Sequence, residues 1–252
     1  MEIKEALFNY ALRMGDNSLI LGHRLSEWCG HGPILEQDIA LINMALDLIG
    51  QSRSYLTYAG ELESKGRSED DLAYMRRERE FSNVLLTELP NGDFGRTIVR
   101  QFLFDVFHYL QLERLSNSAD EQLGAIARKS LKEVTYHLRY SSEWMIRLGD
   151  GTDESHRRVQ EPLNELWAYT GELFEMDEVD ETLLGVGIAP NLAELKPLWE
   201  AKVKEILEEA TLNVPESGWM HSGGRKGVHS EHLGYLLTDL QYLQRSIPNA
   251  KW

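Results

Sequence analysis

The sequence has little cysteine and no long apolar run, and each shortage argues against a class of protein. Cys29 is the one cysteine among 252 residues, so no disulfide can form within the chain. We therefore expect a cytoplasmic protein, since disulfide-rich chains belong to oxidising compartments. No stretch approaches the roughly 20 apolar residues that cross a bilayer. The start, MEIKEALFNYALRMGD, is amphipathic and acidic and does not resemble a signal peptide.

Basic residues are also scarce. Lysine and arginine number 26 against 41 aspartates and glutamates, which gives a net charge of −15. A chain this acidic repels phosphate backbones and anionic lipid surfaces, so we expect neither nucleic acid nor a membrane as partner. The hydrophobic share of 42% is ordinary for a soluble protein, and the length is ample for a real core.

Strand-like alternation is nearly absent, and helical spacing runs through the whole chain. The spacing predicts long helices over residues 3–28, 34–63, 94–116 and 119–148, and shorter ones over 70–83, 154–176, 192–211 and 230–245. Four rods of similar length joined by short links favour an antiparallel bundle. We therefore predict an all-α fold, a four-helix bundle with additional C-terminal helices packed on it, as a single domain over residues 1–252.

Ionisable residues on the inward faces of these helices need an explanation. Asp105 shares a face with Phe102, Tyr109 and Leu112, and His108 follows one turn later. A carboxylate on such a face costs several kcal/mol unless it is paired, hydrogen-bonded or bound to metal. Two interpretations stay open for Asp105, a metal ligand or a buried acid paired with an Arg or Lys of another helix.

Each of the other long helices also offers one carboxylate at a plausible inward position. In the stretch LKEVTYHLRYSSEW, Glu133 and His137 lie one helical turn apart. In the second helix, Asp47 lies on a polar stripe beside an apolar one, and in the first helix Glu27 shares a stripe with Asp16. The candidate site residues are Glu27, Asp47, Asp105, His108, Glu133 and His137.

This set approaches a carboxylate-bridged di-iron site but departs from it. Such bundles take one Glu from each of two helices and Glu-x-x-His from each of the other two. Here Gly50 stands where the second histidine belongs, His137 is displaced by one residue, and two acids are Asp. We therefore predict a vestigial polar cluster, closed by arginines such as Arg24, with no metal, cofactor or catalytic residue in this chain. The alternative is a di-iron oxygenase or ferroxidase bundle that binds iron in its own right.

Two further patterns lie near the C-terminus. His229, Glu231 and His232 could hold one metal ion, although such histidines more often cap a helix or lie in an interface. The basic loop SGGRKG, residues 222–227, could contact phosphates of a CoA ester or dock on an acidic surface. The six Trp and ten Tyr exceed what a bundle core needs, which favours a large interface with another protein.

Long motifs resemble a known family over nearly the whole chain. The sequence is similar to the ferritin-like C subunit of bacterial phenylacetyl-CoA 1,2-epoxidases, which are multicomponent monooxygenases. The motifs that carry this resemblance are MGDNSLILGHRLSEWCGHGPILEQDIAL, ALDLIGQSRSYLTYA, RERE with FSNVLL, LPNGDFGRTIVRQ, KEVTYHLRYSSEWMIRLGDGTDES, EATLNVPE and GGRKGVHSEHLGYLL.

The resemblance implies a ferritin-like all-α fold and a structural role in phenylacetate catabolism. It implies a partner, the catalytic A subunit, which carries the di-iron centre and inserts one oxygen atom from O₂ into the ring of phenylacetyl-CoA. A heterodimer or higher hetero-oligomer with further subunits is expected. Electrons would come from NADPH through the flavin and Fe–S groups of a reductase subunit. The family supplies no catalytic residue for this chain.

Overall fold

The computed structural model describes residues 1–216 and 218–247, and the regular secondary structure in these ranges is all helical. The predicted all-α class is thereby confirmed, and the helices are consistent with a ferritin-like helical bundle. The α-helices are α1 (Ile3–Ser26), α2 (Leu35–Glu63), α3 (Glu69–Tyr74), α4 (Leu85–Glu88), α5 (Phe94–Leu115), α6 (Glu121–Gly149), α7 (Asp153–Leu166), α8 (Glu178–Leu184), α9 (Leu192–Glu209) and α10 (Glu231–Ser246). None of the helices in the described ranges is long and apolar enough to cross a membrane.

The chain divides into two compact units. Unit 1 comprises Met1–Pro90 with Gly223–Trp252, and unit 2 comprises Asn91–Ser222. Ser217 and residues 248–252 lie outside the described residues. The prediction of a single domain stays a prediction.

Unit 1 is built on an antiparallel hairpin of α1 and α2. Lys4, at the start of α1, donates to the hydroxyl of Ser64 after the end of α2, at 3.2 Å. Gly15 and Gly22 bring the two helices close, since a Cβ on Gly15 would lie 2.7 Å from Leu56, and one on Gly22 would lie 3.1 Å from Leu48. A larger residue at either position would push the helices apart.

The short helix α3 and the C-terminal helix α10 belong to the same unit and share its core. Apolar side chains from four helices and from the segment after α3 form one buried cluster. Its members are Ala11, Leu12, Leu19, Ile20, Leu56, Ala59, Leu72, Ala73, Phe81, Leu233, Leu236 and Leu237. Residues that are distant in the sequence, at both ends of the chain, therefore stabilise each other in unit 1.

Unit 2 is built on a second hairpin, of α5 and α6. Asp93 and Asp120 begin these helices, because each carboxylate accepts a hydrogen bond from the backbone N–H three residues on, at 2.9 and 2.8 Å. The hairpin is antiparallel, since Phe94 at the start of α5 contacts Trp144 near the end of α6, with ring centroids 5.0 Å apart. From α9, the indole of Trp199 donates to the Leu103 carbonyl at 3.0 Å and fixes α9 on α5.

The structure corrects the predicted helix over residues 70–83, because α3 ends at Tyr74. The Arg76 guanidinium turns back to the Leu72 and Glu80 carbonyls and forms an ion pair with Asp16 of α1. The chain then runs extended at Phe81. Tertiary hydrogen bonds to a buried acid outweigh the local helical propensity here.

Two predictions for unit 2 also need correction. The helix predicted over 154–176 ends as α7 at Leu166 and continues as two short 3₁₀ turns up to Phe174. The residues between this helix and the one predicted from residue 192, where no helix is predicted, contain α8. Asp177 begins α8 with a capping box, since its side chain accepts from the Asp180 N–H at 3.4 Å while the Asp180 carboxylate accepts from the Asp177 N–H at 3.2 Å.

The apolar stripe that helical spacing predicts on α2, formed by Ile39, Ile42, Leu46 and Ile49, is largely exposed rather than buried against α1. Ile39, Leu46 and Ile49 are exposed. The face of α2 that is buried carries other residues, among them Leu41, Met44, Leu48 and Tyr55, all 0% exposed. α2 therefore has two apolar faces, and one of them is exposed in this chain.

Candidate functional site

The Asp105 cluster of unit 2 comprises Gln101, Asp105, His108, His137 and Ser141. It lies between α5 and α6, and Asp105 and His137 are 0% exposed. The Gln101 amide donates to Oδ1 of Asp105 at 2.7 Å, and the Ser141 hydroxyl of α6 donates to Oδ2 at 2.8 Å. Both oxygens of the carboxyl group are thus engaged by neutral side chains.

Burial decides the electrostatics of this cluster. It raises the pKa of Asp105 to about 7, against the opposing effects of the His137 charge and the hydrogen bonds from Ser141 and Gln101. Burial, with a smaller effect of the His137 charge, lowers the pKa of His108 to about 3. His108 is therefore neutral at pH 7, while about half of the Asp105 carboxyl groups are protonated at that pH.

His108 is buried beside Phe104, with ring centroids 5.2 Å apart. Its Nδ1 has no hydrogen-bond partner among the residues that the structure describes. A buried ring nitrogen of this kind is costly unless a water molecule supplies the missing bond. All five side chains of the cluster are 0–2% exposed. That none of them takes part in catalysis stays a prediction.

The motif LKEVTYHLRYSSEW presents two different faces of α6. His137 and Ser141 are buried against Asp105. Another face carries an aromatic ladder, in which Tyr140 lies 6.2 Å from Tyr136 and 6.5 Å from Trp144, centroid to centroid. Arg139 and Arg147 lie over the rings of Tyr136 and Trp144, both at 5.5 Å. Partly exposed Tyr, Trp and Arg are the residue types that protein interfaces favour.

The six sequence-predicted site residues are divided between the units. Asp105, His108, His137 and the half-buried Glu133 belong to unit 2, while Glu27 and the half-buried Asp47 belong to unit 1. The inward position predicted for Glu27 is wrong. α1 ends at Ser26, and Glu27 lies past its last turn, exposed, with its carboxylate 2.8 Å from Arg24.

Metal ligation is the open alternative for these residues. Within residues 1–216 and 218–247, no group of three or more His, Cys, Asp or Glu is placed to hold a metal ion. The donors around Asp105 are an amide and a hydroxyl, and both point at the oxygens that a metal ion would need. That this chain binds no iron stays a prediction.

The buried acid of α1 is Asp16 rather than Glu27. Its carboxylate accepts from Nη1 of Arg76 at 3.0 Å and from the Ser82 N–H at 2.9 Å, and a second guanidinium bond closes a bidentate pair. Arg76 also lies 4.2 Å above the Phe81 ring. Sequence reasoning placed Asp16 on the correct stripe but did not find Arg76, because no local pattern predicts a partner 60 residues away.

A second buried ion pair, which the sequence analysis missed, joins Glu88 of α4 to His229. Both side chains are 0% exposed. His229 Nδ1 lies 2.8 Å from Glu88 Oε2, and Nε2 lies 3.0 Å from the Phe81 carbonyl. Both ring nitrogens face acceptors, an arrangement that favours the protonated ring because an imidazolium donates from both nitrogens. Burial lowers the pKa of His229, but the Glu88 carboxylate and the Phe81 carbonyl together raise it by more than burial lowers it. The pKa is therefore above its usual value.

The Glu88 carboxylate also accepts hydrogen bonds from one residue nearby in the sequence and from one far away. Asn83 donates to Oε2 at 2.9 Å, and the Ser230 N–H, at the start of α10, donates to Oε1 at 2.6 Å. His229 is therefore an ion-pair partner rather than one of two surface ligands with His232. An acid inside the apolar run VLLTEL was the signal that could have revealed Glu88.

The SGGRKG loop contains a 3₁₀ turn, Gly224–Lys226. Gly227 has φ +72, and a Cβ there would lie 2.3 Å from the Arg79 carbonyl oxygen, so the loop packs on Arg79 only with glycine at this position. Glycine at this position therefore has a structural reason of its own. Contact of the loop with a CoA phosphate or an acidic surface stays a prediction.

Comparisons with known proteins agree with the resemblance that the long motifs carry. The family model described as phenylacetic acid catabolic protein matches residues 1–252. The chain is 51% identical over 243 residues to the C subunit of the 1,2-phenylacetyl-CoA epoxidase of Escherichia coli (strain K12), and the match covers 96% of this chain and 98% of that protein. This chain therefore belongs to the phenylacetic acid catabolic protein family.

Proposed function

We propose that this chain is the non-catalytic structural subunit of a phenylacetyl-CoA 1,2-epoxidase. In this role it binds and stabilises the di-iron catalytic subunit during aerobic phenylacetate catabolism. The iron resides in that partner, and a reductase with flavin and Fe–S groups delivers electrons from NADPH. The similarity to the C subunit of such an epoxidase, over nearly its full length, supports this assignment.

One structural observation carries the non-catalytic part of the proposal. Asp105 is the acid of the sharpest ligand-like motif, and both of its oxygens accept hydrogen bonds from Gln101 and Ser141. A di-iron centre needs carboxylates that are free to bridge metals and an open position for O₂. The Asp105 cluster instead closes on itself as a buried hydrogen-bonded network.

The test is turnover in the reconstituted complex. Phenylacetyl-CoA consumption is measured with the di-iron subunit, the reductase and NADPH, and with either the wild-type chain or one of two separate variants, Asp105→Asn and His108→Gln. We expect each variant to support turnover within about twofold of wild type. Leaving this chain out should abolish turnover or precipitate the di-iron subunit.

The opposite pattern would identify this chain as the oxygenase. Loss of a metal ligand removes transition-state stabilisation and lowers turnover by about 100-fold or more. Circular dichroism of each variant, with co-purification of the di-iron subunit, separates such a loss from failed folding. A drop of this size in a folded, bound Asp105→Asn variant contradicts the proposal.

A further inference from the structure

The exposed apolar face of α2 forms a regular seam. The α2 seam consists of Leu35, Ile39, Ile42, Leu46 and Ile49. Leu35 is 71% exposed, Ile39 52% and Leu46 60%, and Ile42 is half-buried. Isolated exposed apolar residues are normal, but a row of four exposed ones with a half-buried isoleucine among them is not.

The seam has the spacing of a helix–helix contact. From Leu35 to Ile49 its residues follow one another at steps of 4, 3, 4 and 3. This is the spacing of alternating a and d positions over two heptads. At 1.5 Å per residue the row is about 21 Å long, enough for three turns of a second helix. The opposite face of α2 packs on α1, and at the end of the seam Ile49 also lies against α1, since its Cγ1 would be 3.3 Å from a Cβ on Gly22. Leu35, Ile39 and Leu46 form the most exposed part of the seam.

The charges beside the seam indicate which helix would fit. Glu36, Asp38 and Asp47 flank it, and no Lys or Arg occurs from Leu35 until Arg53. A second copy of this chain would bring a row of acids against the same row, and the chain already carries a net charge of −15. Like charges at such flanking positions oppose pairing, whereas opposite charges select the partner.

We propose that the α2 seam docks an amphipathic helix of the di-iron partner subunit, with an apolar row bordered by Lys and Arg. The proposal rests on the proposed function for the identity of the partner. The seam supplies the apolar contact, and its acidic borders set register and discriminate against self-association.

The test measures binding of the intact chain to the purified di-iron subunit by biolayer interferometry. The Ile39→Lys/Leu46→Lys variant should weaken binding at least 100-fold, because it places two ammonium groups in the apolar contact opposite basic residues. The matched control is Val186→Lys/Leu198→Lys, with the same added charge at side chains that are 43% and 41% exposed. It should change the dissociation constant less than threefold.

The role of the acidic residues that border the α2 seam is tested separately with the variant Glu36→Lys, at an exposed position. We expect binding several-fold weaker at low salt, with the difference fading at high salt, because exposed charge pairs are screened. Unchanged binding at low salt would contradict the basic character assigned to the partner helix.

The outcomes separate the two proposals. If the wild-type chain binds and the seam variant binds equally well, the docking surface is wrong while the proposed function stands. If the wild-type chain fails to bind the di-iron subunit, both are wrong. Sedimentation that shows a wild-type dimer dissolved by Ile39→Lys/Leu46→Lys would assign the seam to a second copy and overturn the choice of partner.

Discussion

Arg76→Met is expected to lower the free energy of unfolding by about 3–5 kcal/mol, the cost of leaving one member of a buried ion pair alone. Asp16 would keep only the Ser82 N–H as a donor, since the guanidinium supplies the other bonds to its carboxylate. The substitution also removes the contact with the Phe81 ring. Urea unfolding followed by far-ultraviolet circular dichroism measures the loss.

Two further variants isolate the cause of this effect. Arg96→Met removes an ion pair with Glu165 whose side chains are 25% and 64% exposed, and it should cost less than about 1 kcal/mol. Asp16→Asn/Arg76→Met carries no buried charge and should be more stable than Arg76→Met alone. A double variant less stable than the single one would show that the charge of Asp16 is not the source of the loss.

Asp105→Ala is expected to destabilise the chain by about 2–4 kcal/mol, because it leaves two buried donors unpaired and opens a cavity. The donors are the Gln101 amide and the Ser141 hydroxyl. Asp105→Asn keeps the volume and one accepting oxygen, and the Ser141 hydroxyl can rotate to accept from the new amide. It should cost about 1 kcal/mol or less. An Asp105→Ala chain as stable as wild type would contradict a structural role for the cluster.

The pH dependence of these variants distinguishes ionisation from packing. Burial raises the pKa of Asp105 from 3.8 to about 7. Between these two pH values the folded chain therefore holds a proton that the unfolded chain has released. Its contribution to stability is therefore complete below about pH 3.8 and is lost as the pH rises through about 7. Asp105→Asn cannot ionise, so its stability relative to wild type should improve from about pH 4 to about pH 8. A constant difference across that range would contradict the raised pKa.

Helical spacing predicted the long elements well, since the ends of α1, α2, α5 and α6 lie within two residues of the predicted bounds. The capping aspartates Asp93 and Asp120 and the glycines in turns fix these ends locally. The failure at residues 70–83 has a different origin. Arg76 leaves the helix to reach Asp16, and a hydrogen bond across 60 residues has no local signature.

The candidate site was predicted only in part for the same reason. Asp105, His108 and His137 are buried as their helix faces indicated. The sequence alone could not identify Gln101 and Ser141 as the partners of Asp105, because amide and hydroxyl side chains carry no distinctive spacing. For the α2 seam, the sequence shows the apolar pattern but not its burial. Its apolar period is evident in the sequence, but periodicity does not say which of two apolar faces is covered within the chain.

In our proposal this chain supports a catalytic partner and holds no di-iron centre of its own. Iron bound per chain, after anaerobic incubation of the purified protein with Fe(II) and desalting, tests it most directly. We expect a value near zero, with the same result for Asp105→Asn. About two irons per chain, the content of a di-iron bundle, would contradict it and make this chain an oxygenase candidate, all the more so if Asp105→Asn abolished the binding.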